Sequence, residues 1–123
     1  MRILVIIAAL LGMTGVAAGA FGAHALSARL APDRLELWET AARYQLLHAL
    51  ALLGAAWIAD RFGGSALLAG WMFVVGTLVF SGTVYALALG APRWLGAVTP
   101  IGGLALILGW GLLAWSAWRG GAS

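Results

Sequence analysis

The chain has 123 residues, of which 63% are hydrophobic and 9% are charged, and its mean hydropathy is +1.01. These values lie outside the range of soluble globular domains and indicate an integral membrane protein. Its net charge of +3 comes from scattered arginines, which excludes the clustered basic face that nucleic-acid binding requires, and the lack of cysteine excludes disulfides and thiol catalysis.

The first apolar segment covers residues 3–23 and carries no charged residue. A helix needs roughly 20 apolar residues to cross a hydrocarbon core about 30 Å thick, so this segment is predicted to span the membrane. Gly15, Gly19 and Ala23 lie four residues apart, a spacing that lets a neighbouring helix approach closely. A second interpretation is a cleaved secretory signal behind Arg2, although the apolar run is long for one.

The second segment begins with a polar stretch. Asp33 followed by Glu36 fits a capping box, so a helix is predicted to start with Asp33 as its N-cap. Its first turns are amphipathic and indicate a short extension along the membrane interface. The span itself is predicted over residues 41–59. The almost wholly apolar part, residues 46–59, is short for a bilayer, so the polar residues before it must lie in or just below the headgroups.

Two further apolar segments, residues 66–89 and 99–118, complete the predicted set of spans. Thr99 is predicted to be the N-cap of the last helix, with Pro100 as its first residue. Trp115 and Trp118 match an aromatic belt at the water interface. The glycine pair Gly102-Gly103 is predicted to pack closely against the first helix. The expected fold is an all-α membrane protein, one domain over residues 1–123: a bundle of four transmembrane helices with a short interfacial amphipathic extension before the second span.

Four spans distribute the arginines almost evenly between the two sides of the membrane. Side A receives Arg2, Arg61 and Arg119, whereas side B receives Arg29, Arg34, Arg43 and Arg93. The positive-inside rule counts basic residues, and these numbers assign no absolute orientation.

Polar side chains within the spans concentrate in the half of the predicted bundle that faces side B. Because intramembrane polar groups usually face the bundle interior, they predict a polar pocket that opens to side B. The candidate pocket residues are His24, Tyr44, Gln45, His48, Ser81, Tyr85 and Thr99.

The two histidines fall on adjacent antiparallel helices at a similar predicted depth. His24 and His48 can therefore be paired ligands of a metal or haem, a proton relay, or a structural hydrogen-bonded pair. Two histidines without nearby Asp, Glu or Cys form an incomplete zinc set, so the sequence favours the structural role and predicts no bound metal or cofactor. No nucleophile, base and orienting residue occur at a recognisable spacing, and an enzyme is not expected.

Several motifs spread over nearly the whole chain occur together in a recognisable order. They are Gly19-Ala20-Phe21-Gly22-Ala23-His24; Trp38-Glu39-Thr40-Ala41 with Tyr44-Gln45 and His48-Ala49-Leu50; Phe80-Ser81-Gly82-Thr83 with Tyr85; Thr99-Pro100-Ile101-Gly102-Gly103; and Gly109-Trp110. Together they resemble the small membrane proteins catalogued as domain of unknown function 423. The resemblance implies a four-helix, multi-pass protein of the bacterial inner membrane, and it implies no particular activity.

Three functions remain open at this point. The first, which the sequence favours, is a non-enzymatic component of the lipid bilayer that forms a homo-oligomer or joins a larger membrane complex. The second is a small-solute or proton transporter or channel acting as an oligomer, although four short helices leave little room for alternating access. The third is a haem- or metal-binding redox protein that uses His24 and His48.

Overall fold

A computed structural model describes residues 2–120 and places four long helices in that part of the chain. They are α1 (Arg2–Leu26), α2 (Pro32–Phe62), α3 (Gly64–Ala88) and α4 (Thr99–Arg119), and a short 3₁₀ helix, Arg93–Ala97, precedes the last. The turn Ala18–Gly22 inside α1 is a π-helix. By length and apolarity, Arg2–Leu26, Gly64–Ala88 and Arg93–Arg119 can each cross a membrane. The all-helical membrane fold expected from the sequence is confirmed.

The remaining long helix, α2, is the most polar and the longest. Its 31 residues correspond to about 46 Å, well beyond a hydrocarbon core of about 30 Å. It therefore has room for both a crossing and an extension of several turns, as the amphipathic start of the segment predicts. α2 packs between α1 and α3, and its buried Gln45 side chain bonds to α1.

Both predicted helix starts were misplaced by one or two residues. Ala31, not Asp33, is the N-cap of α2: its φ of −60° and ψ of 154° are extended, because a residue before proline avoids the helical region. Pro32 is then the first helical residue, and Asp33 lies in the first turn, where its carboxylate complements the helix dipole. The N-cap of α4 is Val98, so Thr99 already lies inside the helix.

Two glycines make the tight connections. Gly63, at a φ of +85°, alone joins α2 to α3, and Gly90, at +100°, ends α3. After Gly90 the chain forms a Schellman motif, in which the Ala91 N–H donates to the Ala86 carbonyl at 2.9 Å and the Gly90 N–H to that of Leu87 at 3.1 Å. Only glycine adopts such positive φ values without steric cost.

The helices pack in chain order, α1 on α2, α2 on α3 and α3 on α4, whereas α1 and α4 do not meet within the described residues. As its small-residue spacing predicts, α1 places a glycine face on α2. A Cβ at Gly19 would lie 3.7 Å from the Ala42 Cβ, and one at Gly15 would lie 2.9 Å from the Leu46 Cδ2. The four helices thus form an open bundle.

The prediction that Gly102 packs against the first helix was wrong. This glycine lies on α3: a Cβ added to it would collide with the Phe80 backbone nitrogen and lie 2.9 Å from the Phe80 Cα. It would also lie 3.0 Å from the Gly76 carbonyl oxygen. α3 and α4 therefore touch backbone to backbone at this crossing, which only the absence of a side chain permits.

Apolar and polar contacts separate along the bundle axis. The apolar core includes Leu4, Leu52 and Phe73, all fully buried, and lies mainly in the half toward side A. The interhelical hydrogen bonds of Trp38, Ser81 and Thr83 lie in the half toward side B, as the distribution of polar residues along the sequence indicates.

Candidate functional site

Gln45 is the centre of a hydrogen-bond network that joins three helices. It is 7% exposed on α2, and its Nε2 donates to the Leu11 carbonyl at 2.9 Å and to the Thr14 hydroxyl at 2.7 Å, both on α1. The Tyr85 hydroxyl of α3 donates to its Oε1 at 2.7 Å. Thr14 passes its own hydrogen to the Leu10 carbonyl at 2.8 Å. Both amide hydrogens and the amide oxygen of Gln45 are therefore engaged.

Trp38 extends this network toward side B. Its indole N–H donates to the Ala18 carbonyl at 2.8 Å, at the point where the π-helical turn of α1 begins. The Tyr85 ring packs edge-on against the indole, with the ring centroids 4.6 Å apart. Trp38 therefore ties α2 to the end of α1 through its hydrogen bond and to α3 through its ring contact.

Two hydroxyl contacts tie α3 to the helices on either side of it. The buried Ser81 hydroxyl donates to the Ala41 carbonyl of α2 at 2.8 Å. The hydroxyls of Thr83 and Thr99 are 2.6 Å apart and bond α3 to α4. Each bond therefore crosses a helix interface.

His48 lies one turn after Gln45 on α2 and makes a separate set of contacts. Its Nδ1 is 2.8 Å from the Tyr44 carbonyl, and the Trp110 indole N–H approaches its Nε2 at 3.1 Å. A carbonyl only accepts and an indole N–H only donates, so Nδ1 carries the hydrogen and Nε2 accepts. This arrangement is a neutral imidazole with both ring nitrogens engaged, packed against the Phe73 ring.

The two histidines do not face each other. His24 is exposed near the end of α1, whereas His48 is 6% exposed and contacts Phe73 of α3 and Trp110 of α4. Among the described residues, no group of three or more His, Cys, Asp or Glu side chains is placed to hold a metal ion. A site that uses both histidines as paired ligands does not fit this geometry.

The candidate pocket residues on α2 and α3 divide between two cavities. The first, of about 210 Å³, lies among α1, α2 and α3 and is lined by Leu11, Thr14, Gln45, Thr77, Leu78, Ser81, Gly82 and Tyr85. The second, of about 280 Å³, is mostly apolar and is lined by Tyr44, His48, Phe80, Gly103, Leu106, Ile107 and Trp110. Thr99 lies apart from both, in its pair with Thr83.

Four contributors to these sites were not predicted from the sequence: Thr14, Trp38, Thr77 and Trp110. Thr14 is the one polar side chain in the uncharged part of its segment, so its isolation was an available signal. The two tryptophans could not be assigned from the sequence, because an indole ring packs on an apolar face whether or not its N–H forms a hydrogen bond. Thr77 carried no signal beyond its hydroxyl.

These features define a class: a small, multi-pass helical membrane protein whose helices are joined by side-chain hydrogen bonds. The chain matches the family model described as Protein of unknown function (DUF423) over residues 18–103, and it belongs to that family. Most of the interhelical contacts described above involve residues within the matched range.

Relatives in bacteria are described as membrane proteins, and the similarity covers almost their full length. UPF0382 membrane protein SH2409 of Staphylococcus haemolyticus is 41% identical over 119 residues, which cover 97% of this chain and 98% of the relative. UPF0382 membrane protein YwdK of Bacillus subtilis is 38% identical over 112 residues, covering 89% and 91%. No solved structure matches the chain.

Proposed function

We propose that this protein is a non-enzymatic component of the membrane, acting as a homo-oligomer or as an accessory subunit of a larger membrane complex, with its polar side chains concentrated toward one leaflet. The proposal is supported by the hydrogen bonds that the buried polar groups form within the bundle. Gln45, His48 and Ser81 direct their polar atoms to other helices or to backbone carbonyls. Their hydrogen bonds stabilise the bundle.

Catalysis and ligation require groups that are free to meet a substrate or metal. A nucleophile needs an adjacent base and a base needs an orienting partner, whereas the lone pair of His48 Nε2 already accepts the Trp110 N–H. The imidazole therefore supports helix packing in this fold. This supports a structural role for the centre of the molecule, and the proposal assigns contact with partners to the outer helices.

The outer surfaces of α1 and α4 are the available contact faces. The two helices do not meet, and both expose large apolar side chains, including Met13 at 64% and Ile107 at 67%. Such faces contact lipid or another apolar helix. An open bundle therefore leaves two helices available for neighbouring membrane proteins or for second copies of the chain.

Native mass spectrometry of the protein, extracted gently from its own membrane, tests this function. We expect either a homo-oligomer of fixed number or a stoichiometric complex with other chains. A monomer that persists across detergents and in native lipid would contradict the proposal. An absorbance band of haem, or a stoichiometric metal in elemental analysis of the same sample, would contradict its non-enzymatic, cofactor-free form.

A second candidate, transport or binding of a small solute, is favoured by one observation. Thr77 is 2% exposed and lines the 210 Å³ cavity beside Gln45, and its hydroxyl is without a hydrogen-bond partner in the part of the chain that the structure describes. Solute flux into liposomes that is abolished by Thr77→Val and retained in Thr83→Val would favour transport over the structural proposal. Equal flux in wild type, both variants and empty liposomes would contradict transport.

A further inference from the structure

A third cavity lies at the other end of the bundle, on side A. It has a volume of about 190 Å³ and is lined by Phe62, Gly64, Ser65, Ser116 and Arg119. These residues come from the end of α2, the start of α3 and the end of α4. We call it the side A cavity. None of its polar groups belongs to the pocket considered so far, so it is independent of the proposed function.

Ser116 is the first sign that the side A cavity has an occupant. It is 4% exposed, and its hydroxyl is without a hydrogen-bond partner among the described residues. A serine inside a helix commonly donates back to the carbonyl four residues earlier, and this one does not. A buried hydroxyl that is left unpaired is unfavourable, which indicates that a polar group beyond the described residues meets it.

The start of α3 adds a positive electrostatic potential. Its N-cap is Gly63, which provides no side-chain cap, and its first turn contains no acidic residue. The first N–H groups of a helix point outward and carry partial positive charge, which attracts anions. Ser65, in this first turn, contributes a second hydroxyl to the lining of the cavity.

Arg119 also lines the cavity, and its contact with Trp115 indicates the depth of the cavity in the membrane. Its guanidinium lies 5.5 Å from the centre of the Trp115 ring. Trp115 is 49% exposed and Trp118 is 85% exposed, as expected of an aromatic belt at the boundary between lipid and water. The cavity therefore lies at the level of the lipid headgroups.

We propose that the side A cavity binds the phosphate group of a membrane phospholipid. Its lining includes an arginine, two serines and the first turn of a helix, and no acidic side chain is among its residues. A phosphodiester has only acceptor oxygens and a negative charge, which match this set; arginine and helix N-termini both favour such groups. Its depth beside the aromatic belt selects a lipid over a phosphate dissolved in water.

Lipid titration followed by native mass spectrometry tests this assignment. The detergent-purified protein is titrated with phosphatidylglycerol, and the bound fraction is compared for wild type, Ser116→Ala, Arg119→Gln and Arg61→Gln. Arg61 is the matched control, because it also lies at side A and stacks 5.3 Å from a tryptophan ring, that of Trp57, but does not line the cavity. We expect Ser116→Ala and Arg119→Gln each to weaken binding roughly tenfold, and Arg61→Gln to change it less than twofold.

The variant Ser116→Ala also separates binding from folding. It removes an unpaired buried hydroxyl, so its thermal stability without lipid is expected to equal or exceed that of wild type. An increase in melting temperature with phosphatidylglycerol should then be smaller than in wild type.

Two further ligands distinguish the source of the phosphate. Diacylglycerol, which has no phosphate, is expected to bind at least tenfold more weakly than phosphatidylglycerol. Equal binding of the two lipids would overturn the proposal, as would an equal loss of binding in Arg61→Gln and Arg119→Gln. Displacement of the lipid by millimolar inorganic phosphate would overturn the lipid assignment and identify a site for free phosphate.

Discussion

At the scale of single residues, the Tyr85 hydroxyl is a clear case of a polar group whose partner is another helix. We expect Tyr85→Phe to lower the free energy of unfolding by about 1 kcal/mol, because the Gln45 oxygen loses its donor while the ring on Trp38 is kept. Tyr44→Phe is the matched control, because its ring contact with Phe80 and its carbonyl bond to His48 survive the change. Equal losses in the two variants, measured by unfolding in mixed micelles, would contradict the role of the network.

A second residue-scale prediction concerns the bond between Trp110 and His48. Trp110→Phe keeps an aromatic ring near Phe73 but leaves the His48 Nε2 without its donor, so we expect a loss of about 1 kcal/mol. Trp118→Phe should change stability by less than about 0.5 kcal/mol, because that side chain is 85% exposed. If Trp110→Phe is as stable as Trp118→Phe in the same assay, the hydrogen bond from Trp110 to His48 does not stabilise the protein.

At the scale of helices, the crossing of α3 and α4 depends on one glycine. Gly102→Ala puts a methyl group against the Phe80 backbone, which cannot rotate away, so we expect a loss of at least about 2 kcal/mol or failure to assemble. Gly111→Ala is the control on the same helix: its added methyl group meets nothing within 4 Å, and a gain of up to about 1 kcal/mol is expected from helix propensity. Similar melting temperatures for the two variants would rule out a close crossing at Gly102.

How far the sequence predicts such elements depends on the kind of information that each residue carries. Length and apolarity located the helices, and the glycine spacing of α1 identified its packing face. The partner of Gly102 could not be read in the same way, because a helix that is apolar on all sides does not show which face meets which neighbour. The histidines show the same limit: chain position gave an approximate depth, whereas their directions around the helix axes depend on the packing of all four helices.

The residues quoted for the family resemblance acquire a physical meaning at this scale. Trp38, Gln45 and Ser81 each form a bond between helices, and Gly102 permits the closest approach. In lipid there is little hydrophobic force to hold helices together, so small residues and side-chain hydrogen bonds must do it. The motifs are therefore those of a packing scheme, and they specify how α1 to α4 associate.

At the scale of the whole molecule, α2 decides the topology. It is less apolar than its neighbours, yet its buried Gln45 and His48 are hydrogen-bonded inside the bundle, which lowers the cost of carrying them across the membrane. A crossing by α2 places the turn after α1 and the turn after α3 on one side, and the turn between α2 and α3 on the other. If α2 instead lay along the interface, the turns before and after it would share a side.

The chain contains no cysteine, so single cysteines report this topology without background. Ser27→Cys, Asp60→Cys and Arg93→Cys place a thiol at exposed positions after α1, near the end of α2 and after α3. With a membrane-impermeant maleimide applied to sealed vesicles of known orientation, we expect Ser27→Cys and Arg93→Cys to react from one side and Asp60→Cys from the other. Labelling of Ser27→Cys and Asp60→Cys from the same side would show that α2 does not cross. The positions of the arginines do not assign the absolute orientation of the protein. The side on which Asp60→Cys reacts assigns it, and it also shows which side of the membrane the side A cavity faces.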